Sequence, residues 1–298
     1  MMNESPKSTA TVAAPLNKKA KYNRATPGTI ILTIILIIQV ILVLYPIAFT
    51  ISAAFIRDNS LSAVGTVPFS KPFSLAQYKR LFTQTHYPHW YLNTLIVACW
   101  NTVITVVVCS LCGYIFSRFT FPFKKTVMAS MLVLQMFPSF VGMIATYVIL
   151  WKINALNTLW GLILVYSAGS IPFNSWLMKG YFDTVSKDIA EAAYIDGATP
   201  FTAFIRVIVP SAKPRIVFLA LTSFTGPWMD YIFPRLILRS DDKKTLAVGL
   251  YEMINGRSND NFTMFAAGAL LVAVPFAILF LLGQKSMLQS LAGTGGKE

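Results

Sequence analysis

The charged residues of this chain are spaced so that they leave uncharged, apolar runs at 25–56, 93–117, 126–151, 153–178 and 261–284, and a sixth at 216–234 broken only by Asp230. About 20 apolar residues is the length that crosses a bilayer as a helix, and a backbone facing lipid must satisfy its own hydrogen bonds. The pattern predicts an all-α integral membrane protein with six transmembrane helices. Composition agrees, with 55% of residues hydrophobic and 12% charged, against roughly 25% charged in a soluble domain. The first run follows a basic stretch, as a signal peptide would. Its apolar part, Ile30 to Phe55, exceeds the roughly 7–15 residues of a signal core, and no A-x-A-like site follows it.

The net charge of +13 raises two readings, a nucleic-acid partner or membrane orientation, and the distribution favours the second. With the N-terminus inside, 15 of the 25 Lys and Arg residues fall on the inner side, and the basic arm Lys18, Lys19, Lys21 and Arg24 precedes the first helix. Such a bias sets topology. Both termini are then expected in the cytoplasm of a bacterial cell, with no nucleic-acid partner and the lipid bilayer as surroundings. The expected order is a cytoplasmic arm at 1–27, a first membrane helix at 28–56 and an extracytoplasmic segment at 57–92. A core of five membrane helices follows at 93–284, and a cytoplasmic tail at 285–298. In the outer segment, Leu75, Tyr78 and Phe82 share one face at helical spacing.

Two constellations suggest metal chemistry and are better read otherwise. Cys99, Cys109 and Cys112 all lie in the second apolar run, and Cys109-x-x-Cys112 lacks a second Cys or His pair to complete tetrahedral zinc. They are expected to pack between helices. His86 and His89 flank Pro88 with no carboxylate or Cys near in sequence, and are expected to anchor the start of the second helix at the interface.

The segment between the fourth and fifth runs is too long for a helix hairpin, which uses about 2–8 residues. Ser186 is a fitting N-cap, and Asp188 and Glu191 fall near the first turn, where the helix dipole favours acids. Gly197 is a stop. Thr199 and Pro200 start a second helix carrying Phe201, Phe204, Ile205 and Ile208. Two short helices at 186–214 are thus predicted to project on the cytoplasmic side. The first bears Ala190, Ala193 and Tyr194 on one face, with Ala192 beside them, and small side chains of this kind admit the close approach of a partner.

At these residues the chain resembles the inner-membrane permeases of binding-protein-dependent importers, whose mark is the EAA loop. Glu191, Ala192, Ala193, Asp196, Gly197, Ala198, Phe204, Pro210 and Pro214 stand where that pattern places them, with Val207 and Val209 as conservative departures. The resemblance implies a type I importer permease (MetI-like) bundle that couples to a separate ATPase through Glu191, Ala192, Ala193, Asp196, Gly197, Ala198 and Pro210. It also implies a second permease subunit, as a heterodimer, two ATP-binding subunits that use ATP and Mg, and an extracytoplasmic sugar-binding protein. No cofactor is expected on this chain itself, which has no G-x-x-x-x-G-K-[ST] motif. The last 50 residues are similar to the smaller permease subunit of maltose and maltodextrin importers. That likeness implies contact with the sugar-binding protein through Asn255, Gly256 and Asn261, and contact of Gly293 to Lys297 with the ATPase.

Asp230 is the outstanding ionisable residue in an apolar run, flanked by Trp228 and Tyr231. An intramembrane carboxylate points to function, and the competing reading pairs it with Arg235 or with water near the outer interface. Tyr147, Asn174, Trp228 and Asp230 are the candidate substrate-pathway residues. Two other classes, an ion-coupled secondary transporter and a membrane enzyme using His86 and His89, would require paired buried charges or a His–carboxylate set, and the sequence displays neither.

Overall fold

The structure is a computed structural model that describes residues 27–255 and 261–292. The N-terminal arm, Gly256 and the segment Gly293 to Lys297 lie outside the described residues. All regular structure among the described residues is helical. Helix α1 (Pro27–Ala54) is followed by the short α2 (Ala76–Gln84) and the long α3 (Tyr87–Arg118). Then come α4 (Lys124–Met136), α5 (Ser139–Lys152) and α6 (Leu159–Thr184). The two short loop helices expected from the sequence are α7 (Lys187–Ile195) and α8 (Pro200–Ser211). Helices α9 (Lys213–Met229), α10 (Ile232–Ile237), α11 (Leu246–Asn255) and α12 (Phe262–Ala292) complete the chain.

The structure divides into two compact units, 1–47 and 48–298. In the first, the described part of α1 is apolar on every side: Ile31, Leu36, Ile41 and Leu42 are all more than half exposed. A helix that is hydrophobic all round is a membrane span.

In the second unit, α3 and α6 form the central pair, joined by α9, while α12 packs on α9, α2 and α11. Gly113 permits the α3–α6 approach, because a Cβ there would lie 2.6 Å from Met178 Cβ and 2.9 Å from the Lys179 backbone nitrogen. One core cluster gathers Leu81, Tyr87, Trp90, Phe224, Trp228 and Leu250. A second, at the opposite end of α3, gathers Cys109, Tyr114, Met178, Phe182, Phe204 and Ile208.

All six apolar runs are largely helical, but two of them are not single helices. The third breaks into α4 and α5, bent by 105°. Pro138 forces Phe137 into an extended conformation (ψ 129°), since the residue before proline is disfavoured in the helical region. The other breaks at Asp230 (ψ 120°), where α9 ends. By length and apolarity, α1, α3 and Phe262–Gln284 each suffice to cross a membrane, and the bent α4–α5 pair makes a fourth span if taken together. Helix α6 has 26 residues and α9 has 17, close to the roughly 20 that a crossing needs.

The helices do not end where the charge-free runs do. Helix α3 starts at Tyr87, ahead of the run at 93–117, α6 occupies Leu159–Thr184 against the run at 153–178, and α12 continues to Ala292, past the end of the run at 284. Charged residues do not end a helix that emerges into water, so the last charge-free residue is a poor boundary marker. In α2 the inward residues are Gln77 and Leu81, while Leu75 and Phe82 are exposed. The Gln77 amide donates to the carbonyls of Arg57 (2.8 Å) and Asp58 (3.0 Å) and to Asn59 Oδ1 (3.0 Å), and this turns its face of α2 inward. Of the cysteines, Cys109 is buried and Cys112 half-buried, but Cys99 is exposed on the outside of α3.

Candidate functional site

Helix α7 is held at both ends by local bonds. Ser186 Oγ accepts from the Asp188 amide at 3.2 Å, capping the N-terminus. At the C-terminus, Gly197 has φ +84°. Its amide donates to Tyr194 O (3.0 Å), and that of Ala198 donates to Ala193 O (2.9 Å). This pair of bonds is the Schellman arrangement, which favours a glycine at the left-handed position. Thr199 Oγ1 then accepts from the Thr202 amide at 3.2 Å and Pro200 opens α8, so a second helix starts with four residues between it and the first. Helix α8 contains a π-helical turn at Phe204–Ile208, in which the Val209 amide reaches back to Phe204 O. Pro210 has no amide to continue the α-helical ladder there. The turn buries both Phe204 and Ile208.

The structure divides the small-residue face of α7. Ala190 turns inward at 3% exposure and Ala193 is half-buried, whereas Ala192 and Tyr194 are exposed, the Tyr194 hydroxyl lying 3.0 Å from that of Tyr114 on α3. The small residues admit the chain's own α3 and α8. What α7 presents outward is Lys187, Asp188, Ile189, Glu191, Ala192, Ile195 and Asp196. Ile195 is 87% exposed. An isoleucine so bare on a helix this short is the residue that sequence reasoning missed, and only its place one step before Asp196-Gly197 could have flagged it.

The start of the loop is hydrogen-bonded to the bundle. Ser117 Oγ donates to Asp183 Oδ1 (2.8 Å), and an Arg118 guanidinium nitrogen donates to Val185 O (2.7 Å). These bonds tie the end of α3 to the end of α6 and to the residues that lead into α7.

A cleft of about 520 Å³ opens between α3, α6 and α9. Its lining includes Asn101, Tyr166, Ser170, Asn174, Thr222 and Asp230. Asn101 is 4% exposed and donates to Ser223 O (2.7 Å), while its oxygen accepts from Ser167 Oγ (3.2 Å). The Thr105 and Ser170 hydroxyls are 2.9 Å apart, and the Asn174 amide donates to Ser170 O (2.9 Å). A polar seam thus ties the three helices together inside apolar surroundings.

Of the four candidate pathway residues, Asn174 and Asp230 line the cleft, and Tyr147 and Trp228 do not. Trp228 is buried against Tyr91, Phe224 and Phe276, because its place on α9 faces α3 and α12. Tyr147 accepts a hydrogen bond from Arg239 and packs in the cluster with Leu162 and Ile237. Asp230 does not pair with Arg235, which bonds Glu252 at 3.2 Å. Its Oδ2 accepts from Tyr166 (2.8 Å) and its Oδ1 from the amides of Ile232 (3.0 Å) and Phe233 (3.3 Å). Asp230 therefore starts α10 and lines the cleft at once.

At the far end from α7, His86 and His89 stack edge to face with centroids 6.0 Å apart at the start of α3. Among the described residues, no group of three His, Cys, Asp or Glu side chains converges as a metal site would need. Asn255 ends α11 with its amide on Tyr251 O (3.3 Å), and the Asn261 carbonyl accepts from the Phe265 amide at the start of α12 (2.8 Å).

The protein family described as "Binding-protein-dependent transport system inner membrane component" matches residues 106–285. The chain is 38% identical over 288 residues to the maltodextrin transport system permease protein MdxG of Bacillus subtilis, covering 97% of this chain and 99% of that one. It is 35% identical over 267 residues to the galactooligosaccharides transport system permease protein GanQ of the same organism, covering 89% and 94%. Among solved structures it is similar to a chain of a bacterial ABC transporter involved in the import of the acidic polysaccharide alginate. The TM-score there is 0.75 at 22% identity, with 87% of this chain and 96% of that one covered.

Proposed function

The chain belongs to the family of inner membrane components of binding-protein-dependent transport systems, and on that premise we propose that it is a permease subunit of an ATP-driven oligosaccharide importer of the maltodextrin class. In this reading it forms half of the translocation pathway beside a second permease subunit. Two ATP-binding subunits supply the energy from ATP and Mg, and an extracytoplasmic binding protein delivers the sugar to the outer side near Asn255 and Asn261. Both termini lie in the cytoplasm.

The observation that carries the reading is α7, a doubly capped helix whose inner face is bonded to the bundle and whose outer face is left bare. Nine residues are too few for a stable isolated helix, so its order comes from α3 and α8, and it transmits force in either direction. Docked in an ATPase groove through Ile189, Ala192 and Ile195, with Glu191 and Asp196 at the rim, it would shift with the ATPase subunits. Arg118 and Ser117 would pass that shift to α3. Coupling requires that the docked contacts differ between the two transport states. The cleft supplies the other half of the reading, since Asn174 and Asp230 offer the donor and acceptor groups that sugar hydroxyls need.

Gly197→Asp and Glu191→Lys test the coupling assignment. Gly197→Asp places a side chain at φ +84°, and Glu191→Lys inverts the charge of an exposed docking residue. Both are expected to abolish co-purification of the ATP-binding subunit and uptake of labelled maltodextrin. Normal assembly and uptake in both variants would overturn the assignment.

A further inference from the structure

The turn between α3 and α4 contains a second concave surface, apart from the cleft and from the outward face of α7. It encloses about 680 Å³ and is lined by Phe121, Phe123, Lys124, Lys125, Met128 and Lys179, with Thr120 and Thr126. Three ammonium groups line it and no carboxylate does. Lys179 is paired with Asp183, and Lys124 gives one of its three protons to Phe119 O at 2.9 Å. An excess of two positive charges remains. The turn joins two membrane-embedded helices and shares its end of the bundle with α7, because Ser117 and Arg118 bond Asp183 and Val185.

The backbone supplies an independent observation. Phe123 has φ +64° and ψ 4°, a left-handed conformation that bulky residues rarely adopt. Phe123 is 77% exposed and lines the pocket. A strained backbone that exposes an aromatic side chain in the turn between two apolar helices, beside two lysines, suits insertion among lipid chains with the ammonium groups toward the headgroups.

We propose that this pocket binds the phosphate headgroup of an anionic membrane phospholipid, with Lys124 and Lys125 on the phosphate and Phe121 and Phe123 along the upper acyl chains. Basic pockets between membrane helices are suited to such headgroups. The inference rests on the chain being a membrane permease and is independent of the docking role of α7.

The test uses the assembled transporter in nanodiscs of phosphatidylcholine doped with phosphatidylglycerol, followed by native mass spectrometry of the lipid retained. The wild type is expected to retain phosphatidylglycerol over phosphatidylcholine. The Lys124→Gln/Lys125→Gln variant should hold it about 30-fold more weakly, the effect of two lysines at a charged surface. Phe123→Gly relieves the left-handed backbone, so it is expected to fold normally and still to retain less phosphatidylglycerol. Excess inorganic phosphate should leave the lipid in place. Unchanged retention in both variants, or full displacement by phosphate, would overturn the proposal. Failure of the coupling assignment would read differently, as normal ATPase assembly in Gly197→Asp and Glu191→Lys with phosphatidylglycerol retention by the wild type unaffected.

Discussion

Ile195 and Ala190 sit five positions apart on one short helix and meet opposite surroundings, one 87% exposed and the other 3%. Charging Ile195 should leave the fold intact, because substitutions at bare surface positions stay within about 0.5 kcal/mol. Ile195→Glu is therefore expected to express and extract normally while losing the co-purified ATP-binding subunit. Retention of the subunit would show that the apolar tip of α7 is not the docking point. Asp230 separates two roles in the same way. Asp230→Ala removes the acceptor for the Ile232 and Phe233 amides and should lower thermal stability by about 1 kcal/mol, the usual effect of losing a cap. Asp230→Asn keeps an acceptor for the Ile232 and Phe233 amides, and its amide nitrogen can donate to the Tyr166 hydroxyl in place of the bond that Oδ2 accepts. It should keep the melting temperature of the detergent-solubilised protein, so any fall in sugar uptake in that variant reports the cleft rather than the fold.

At the scale of elements, legibility followed locality. The caps of α7 and α8 were readable because Ser186, Gly197, Thr199 and Pro200 act on amides within a few residues of themselves. The breaks at Pro138 and Asp230 left equally local signals, a proline and a carboxylate inside apolar runs; charge spacing marks Asp230 but passes over Pro138. The inward turn of Ala190 was not readable, because Tyr114 and Phe204, which decide it, lie 76 and 14 positions away. The outer cap between α10 and α11 was missed for the same reason. There the Trp90 indole donates to Asp241 O (2.7 Å), the Asn93 amide to Asp242 O (2.7 Å), and Lys244 bonds both Asp241 and Glu252. The hydrogen bond and charge of Lys244 hold the Asp241 carboxyl below the usual carboxylate range. Burial alone would lower the Lys244 value, but the bonds to Asp241 and Glu252 outweigh it and raise it. A depressed acid stabilises above its ordinary pKa and loses that effect as pH falls through the folded value, whereas a raised base stabilises below its ordinary pKa and loses it as pH rises through the folded value. Hydrogen exchange at the Trp90 indole should thus stay slow across neutral pH and quicken only in strong acid or strong base. In Lys244→Met it should already be fast at neutral pH, and an unchanged profile would remove Lys244 as the organiser of this cap.

Within the unit 48–298, α3, α6 and α9 enclose a cleft, and many large apolar side chains of the other helices are exposed. The six apolar runs made the membrane bundle legible, but not the cleft, because its residues are drawn from three runs by packing that no periodicity encodes. Asn101 is the clearest case. In sequence it is one amide in an apolar stretch, yet it bonds Ser223 O on α9 and Ser167 on α6 while lining the cleft. Buried interhelical hydrogen bonds in membrane proteins average about 0.6 kcal/mol, so Asn101→Leu, which removes two of them, should cost roughly 1–2 kcal/mol, too little to unfold a bundle of this size. Its larger effect belongs to transport, because the polar seam fixes the spacing of the helices that carry Asn174 and Asp230. Asn101→Leu is therefore expected to assemble with its partners and to keep ATP hydrolysis, while uptake of labelled maltodextrin falls. Ser223→Ala, whose backbone carbonyl still accepts the Asn101 bond, should keep both activities. Loss of hydrolysis and uptake together in Asn101→Leu would place Asn101 in the force-transmitting frame rather than in the walls of the pathway.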